Sequence, residues 1–205
     1  MVSRALETVA TPILAALCLA AAAGSPQAPP AGAPAPYSLL SREGRQALPV
    51  RLVNGQEMFG LDDVGRAFGV TWREDAAAGG IVVTVPARNQ TIVLSQSQGL
   101  ASVSGRLFSL PAPPGRDGRG WAVPVDFVGR VLSTVSPTKI DLRKPSRLIV
   151  LGDLRVPRVA ATHERLGTAA RVTMDVAPST PYTVSQEEAR VVVRFEADAL
   201  DASLP

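Results

Sequence analysis

The sequence predicts an α+β fold, mostly β, with two short helices in a pseudo-repeated βαβ-type domain, followed by a partial all-β segment. Three observations predict it. Short β-branched runs such as Ile81-Val82-Val83-Thr84-Val85 alternate with turn residues along most of the chain. Helical spacing is confined to two stretches that resemble each other. Beyond Arg155 only short β runs follow one another.

The 205 residues allow one domain or two small ones. Residues 1–23 read as an export signal. Arg4 supplies the positive start, Pro12 to Ala23 the apolar core, and Ala21-Ala22-Ala23 before Gly24 a cleavage site. An apolar core of about 12 residues is short of the ~20 that a membrane-spanning helix needs. Cys18 is the only cysteine. Leu17 precedes it where lipidation favours a small residue, so Cys18 reads as leaving with the signal rather than as a lipid anchor. Residues 24–36 are a Pro/Ala-rich tether, expected to be extended and mobile.

The folded part is expected from about Tyr37. Leu48–Val53 reads as a strand, Asn54-Gly55 as a two-residue hairpin turn, and Gln56–Phe59 as the return strand. Leu61, Val64 and Phe68 at i, i+3 and i+7 predict the first helix. Asp62 and Asp63 suit its positive end, and Gly69 its C-cap. Trp72 leads towards strand Ile81–Val85. Thr91–Leu94 follows after the polar turn Ala87–Gln90, then a hairpin of Leu100–Val103 and Arg106–Leu110 about Ser104-Gly105. Pro111–Gly120 reads as a long exposed loop.

Trp121–Leu132 repeats the first helical unit at an offset of 64. Asp62, Val64, Gly65 and Arg66 map onto Asp126, Val128, Gly129 and Arg130. Asp and Arg stand four apart in both copies and can pair along a helix. Strand Leu148–Leu151 follows the second copy as Ile81–Val85 follows the first. Two such units point to one pseudo-symmetric domain, residues 37–152. In the last segment, residues 155–205, the runs Val156–Thr162, Ala169–Val176, Tyr182–Ser185 and Arg190–Phe195 read as strands. Ala170, Val172, Met174 and Val176 alternate with Arg171, Thr173 and Asp175, the pattern of a half-exposed strand. A weak helix is expected at Glu196–Leu200. About fifty residues make a poor independent core, so this domain is expected to be incomplete as it stands.

Composition and motifs exclude several classes. The net charge is +3 with Arg outnumbering Lys 19 to 2, and no basic run interleaved with aromatics suggests nucleic acid. The single histidine, His163, lacks companions at zinc-ligand spacing. No Gly-x-Ser-x-Gly elbow and no phosphate-binding glycine loop occurs. The carboxylate pairs Asp62/Asp63 and Glu187/Glu188 fit a helix start and a polar turn. No catalytic, metal or cofactor-binding residue is therefore assigned. Arg116 and Arg119 in the exposed loop, Arg171 and Tyr182 remain as candidate contacts with an anionic partner. Trp72, Trp121 and Tyr182 are candidate sugar-stacking platforms, for which core packing is the favoured alternative.

The two helical units resemble the copper amine oxidase N-terminal-like domain of bacterial envelope proteins. The residues that carry the resemblance are Phe59–Val64 with Phe68-Gly69 and Trp72, and Trp121–Val128. That resemblance implies no oxidase chemistry, which requires three copper-binding histidines and a quinone-forming tyrosine. Residues 155–205 resemble the first half of an AMIN domain, a β-sandwich module that places cell-wall amidases and some secretins in the envelope. Val156–Val159, Ala170–Val176, Tyr182–Val184 and Arg190–Phe195 carry it. Signal, tether and these two domains in this order resemble the front of an N-acetylmuramoyl-L-alanine amidase. The zinc of that family belongs to a catalytic domain after the AMIN domain, and no part of it matches here.

The resemblance implies an exported, non-catalytic part of a peptidoglycan amidase, located in the periplasm or cell envelope. Its partner would be peptidoglycan or another envelope component, without nucleic acid and without a membrane span after signal removal. The alternative is an envelope scaffold or protein-interaction module, as in a secretin-type assembly. An independent enzyme would need a site that these residues do not display.

Overall fold

A computed structural model describes residues 34–203 apart from 76, 78, 79, 168 and 189. The export signal and most of the tether lie outside the described residues. The described part is mostly β with two short helices. Strands β1 (Tyr37–Ser41) and β2 (Gly44–Leu48) form a hairpin. The expected single strand Leu48–Val53 is interrupted. β2 ends at Leu48, and β3 (Arg51–Val53) begins beyond Pro49, which has no N–H for a ladder. Asn54 and Gly55 (φ 51° and 76°) turn β3 into β4 (Gln56–Gly60) with the positive φ pair that a type I′ hairpin requires.

Helix α1 (Leu61–Phe68) buries Leu61 and Val64, and Gly69 (φ 66°) closes it in the left-handed region. The predicted helical pairing differs in detail. Arg66 pairs with the Asp63 carboxylate and reaches only the backbone oxygen of Asp62. The Asp62 carboxylate turns outward to Trp72. Strands β5 (Thr71–Asp75), β6 (Gly80–Val85), β7 (Gln90–Ser95), β8 (Leu100–Val103) and β9 (Arg106–Ser109) follow as a five-stranded antiparallel meander. Alternate residues Ile81, Val83, Ile92 and Leu94 face the core with no exposure.

The loop expected at Pro111–Gly120 is not wholly exposed. Its middle forms β10 (Gly115–Asp117), which pairs with β11 (Gly120–Pro124). Two contacts hold it. Gly115 is buried so tightly that a Cβ there would lie 2.6 Å from Val53 Cγ1. The nearly buried Arg51 donates to Asp117 Oδ1 at 3.2 Å and to Asp63 Oδ2 at 3.5 Å. β11 pairs antiparallel with β4, placing Val123 opposite Phe59, in a sheet of order β10-β11-β4-β3.

The second helix, α2, begins at Asp126, runs through a π-helical segment, Val128–Leu132, and ends as α-helix, Ser133–Val135. Phe127, Val128, Val131 and Leu132 are fully buried, and Asp126 pairs with Arg130 as the spacing predicts. β12 (Ile140–Arg143) and β13 (Leu148–Leu151) complete this part, β13 pairing with β12 and, in parallel, with β1. One continuous core runs beneath these elements, with Phe59, Val64, Ile81, Phe127 and Ile149 at its centre.

The last segment holds the expected strands: β14 (Arg158–Leu166), β15 (Ala169–Ala177), β16 (Tyr182–Glu187) and β17 (Arg190–Phe195). The helix expected at Glu196–Leu200 is absent. Those residues bend into a short strand, β18 (Asp201–Ser203), which pairs in parallel with β14. Asp198 accepts the Arg155 N–H at 2.7 Å and draws the chain into that bend. β15 alternates as predicted but is not half-buried. Val172 and Met174 are exposed because no described residue covers that face. From Arg155 onward the buried residues described are Val156, Pro157 and Val159. An ion cluster ties the segment to the preceding part. Arg143 Nη1 donates to Asp201 Oδ2 at 3.1 Å and to the Val156 carbonyl at 2.8 Å, while Arg143 Nε donates to Asp141 at 2.9 Å. Burial pulls the Arg143 pKa down, but its bonds to Asp141 and Asp201 outweigh that and hold it above its ordinary value.

Candidate functional site

The candidate site forms where the edge of the β5–β9 meander meets β11. Trp72 and Glu74 are two apart on β5, so their side chains share a face. That face is the core side, because Val83 and Ile81, opposite them on β6, are fully buried. β5 is an edge strand, so the body of Trp72 packs on the core while the tips of both side chains reach water. Trp72 Nε1 donates to Asp62 Oδ1 on α1 at 2.9 Å.

Trp121 arrives from β11 and donates its Nε1–H to Glu74 Oε2 at 3.2 Å. The other Glu74 oxygen accepts from Gln96 Nε2 at 3.4 Å. Directly across the ladder from Trp121 stands Arg116, whose guanidinium lies 5.6 Å from the centre of the indole ring. Two indoles, two carboxylates, one amide and one guanidinium thus occupy one rim. Each indole N–H meets a carboxylate, so the apolar bodies are held while their polar ends stay at the surface. The polar side chains can hydrogen-bond a ligand's polar groups while the indole beside them offers an apolar face.

The structure separates the sequence-derived candidates. Arg116 and Arg119 lie on the β10–β11 hairpin. Arg119 is exposed, 3.8 Å from Asp117, and its backbone N–H donates to that carboxylate at 2.8 Å. Arg171 on β15 and Tyr182 on β16 are exposed on the last segment, and no described hydrogen bond or ion pair joins them to the tryptophan rim. Tyr182 packs against Phe195 with ring centres 5.9 Å apart. The core alternative holds for the bodies of Trp72 and Trp121 and not for Tyr182. Glu74 and Gln96 carry no signal in the sequence. Only the two-residue spacing from Trp72 on a strand points to Glu74.

A second concavity, about 600 Å³, is lined by Arg45, Arg143, Arg158 and Asp201 among others. Its Arg143 and Arg158 already face Asp201, at 3.1 and 3.8 Å, which lowers their attraction for an anion. Among the described residues no group of three or more His, Cys, Asp or Glu lies close enough to hold a metal ion. No described helix is long and apolar enough to cross a membrane. No protein-family model matches this chain, and neither a curated protein nor a solved structure is significantly similar to it.

Proposed function

We propose that this chain is an exported, non-catalytic binding module for peptidoglycan, the targeting portion of an N-acetylmuramoyl-L-alanine amidase. The observation that carries the reading is the tryptophan rim, with Trp121 held between Glu74 and Arg116. A sugar ring stacked on an indole meets Glu74, Gln96 and Arg116 at its edge. Arg116 and Arg119 add positive charge facing an anionic wall polymer. Weak contacts suffice, since a tethered module raises the local concentration of whatever it carries.

The pseudo-repeat belongs to this reading, and the strand register supports it. Phe59 and Val123 are equivalent at an offset of 64, and they face each other where β4 pairs with β11. A two-fold through that pair exchanges Met58↔Pro124 with Gly60↔Ala122. In chain order, hairpin β3–β4, α1 and hairpin β5–β6 correspond to hairpin β10–β11, α2 and hairpin β12–β13. The AMIN-like reading of residues 155–205 rests on their succession of short strands.

The test is retention of the full chain on purified sacculi. Retention is expected and should fall on the order of tenfold in an Arg116→Ala/Glu74→Gln variant, which removes the guanidinium over Trp121 and the carboxylate charge beside it, roughly 0.5–1 kcal/mol each. No retention of the parent chain would refute the reading. A second reading, an envelope protein-interaction module, is favoured by one observation. Among the described residues, seven of nine exposed large apolar side chains fall between Leu166 and Leu200. Recovery of a crosslinked envelope protein without sacculus binding would select it.

A further inference from the structure

β15 is the outer strand of the sheet β15-β14-β18, and no described strand pairs with its free edge. It is nine residues long, pairs with β14 at every position without a bulge, and contains neither glycine nor proline. An edge of this length with exposed Val172 and Met174 beside it is an open template for another strand.

The sequence of β15 is complementary to itself in antiparallel register. About Thr173 as centre, Val172 faces Met174, Arg171 faces Asp175, Ala170 faces Val176 and Ala169 faces Ala177. Across β14, Arg171 stands opposite Glu164, but Asp175 stands opposite Ala160 and has no ion-pair partner among the described residues. A second copy supplies what is missing. Arg171 would lie between its own Glu164 and the partner's Asp175, and Asp175 would meet the partner's Arg171. On the opposite face Val172 and Met174 would meet the partner's Met174 and Val172. Cross-strand pairs of opposite charge and of apolar residues stabilise an antiparallel ladder.

We propose that a second copy of this chain occupies the edge. Two β15 strands pair antiparallel about a two-fold at Thr173 and join two three-stranded sheets into one of six. The interface is isologous and closes at two chains, as a two-fold requires. This does not depend on the wall-binding reading.

The test uses the full chain and two single variants, Arg171→Asp and Asp175→Arg, followed by sedimentation over a dilution series. Each variant turns both attractive pairs of its own homodimer repulsive. Each should weaken self-association on the order of tenfold or more while leaving the far-ultraviolet circular dichroism unchanged. Mixing the two variants restores both attractive pairs, so the mixture should dimerise where neither variant does alone. A parent chain that stays monomeric at every concentration would overturn the proposal, and would leave the edge to a different protein. So would dimers that persist in both variants, or a mixture no more associated than its components.

Discussion

Arg51→Met is the sharpest probe of what holds the first part of the fold together. The Arg51 side chain is only 10 % exposed and joins β3, the first turn of α1 and β10 through Asp63 and Asp117. Breaking a buried ion pair costs about 3–5 kcal/mol when the remaining charge is orphaned. Here neither carboxylate is orphaned, because Asp63 keeps Arg66 and Asp117 keeps the Arg119 N–H. The expected loss is therefore smaller, about 2 kcal/mol. For an m-value near 2 kcal/mol/M, that lowers the urea midpoint by about 1 M. Trp121, on the strand paired with β10, gives the fluorescence signal. A double-mutant cycle with Asp117→Ala should show coupling of about 1 kcal/mol. A loss below about 0.5 kcal/mol with no coupling would mean that the cluster behaves as a solvent-screened surface pair, and the account of why β10 is a strand would fail.

Other consequences are simpler to state. The Tyr37 pKa is raised by burial and by Glu57, with Arg147 opposing. The unfolded chain therefore ionises first, and stability should fall as pH rises above about 10 and on through the folded pKa. Tyr37→Phe should lose part of that fall, which denaturant melts at pH 9 and about 11 would measure. Gly115→Ala should destabilise by about 1–3 kcal/mol by overpacking against Val53, read as a lower melting temperature. Asp201→Ala removes the acceptor shared by Arg143 and Ser146, costing about 2 kcal/mol. It should also speed amide exchange in residues 158–160 and 201–203 before the rest of the chain.

The local signals were legible where one residue type has one physical use. Asn54-Gly55 marked its hairpin, Gly69 its helix end, and Leu61/Val64/Phe68 the apolar face of α1, although Phe68 is only half-buried. What escaped depends on distant partners. β10 reads as a glycine-rich loop because its support comes from Arg51, 66 residues away from Asp117. β12 holds just Ile140-Asp141-Leu142-Arg143, with Arg143 turned to Asp201 at a separation of 58. The second helix was legible from its likeness to the first, but its π-helical segment, Val128–Leu132, was not. The alternation of β15 was real, but alternation does not reveal whether a covering layer exists. At the candidate site, Arg116 and Trp121 each stood out alone. The hairpin that sets them opposite each other, and the Glu74 that joins them to β5, emerge only from the strand pairing.

Wall binding through the tryptophan rim is tested most directly by titrating the full chain with soluble peptidoglycan glycan strands while following tryptophan fluorescence. The account predicts a saturable change that Arg116→Ala/Glu74→Gln weakens on the order of tenfold and that Arg171→Asp leaves alone. No change in the parent chain, or an equal response in the rim variant, would contradict it.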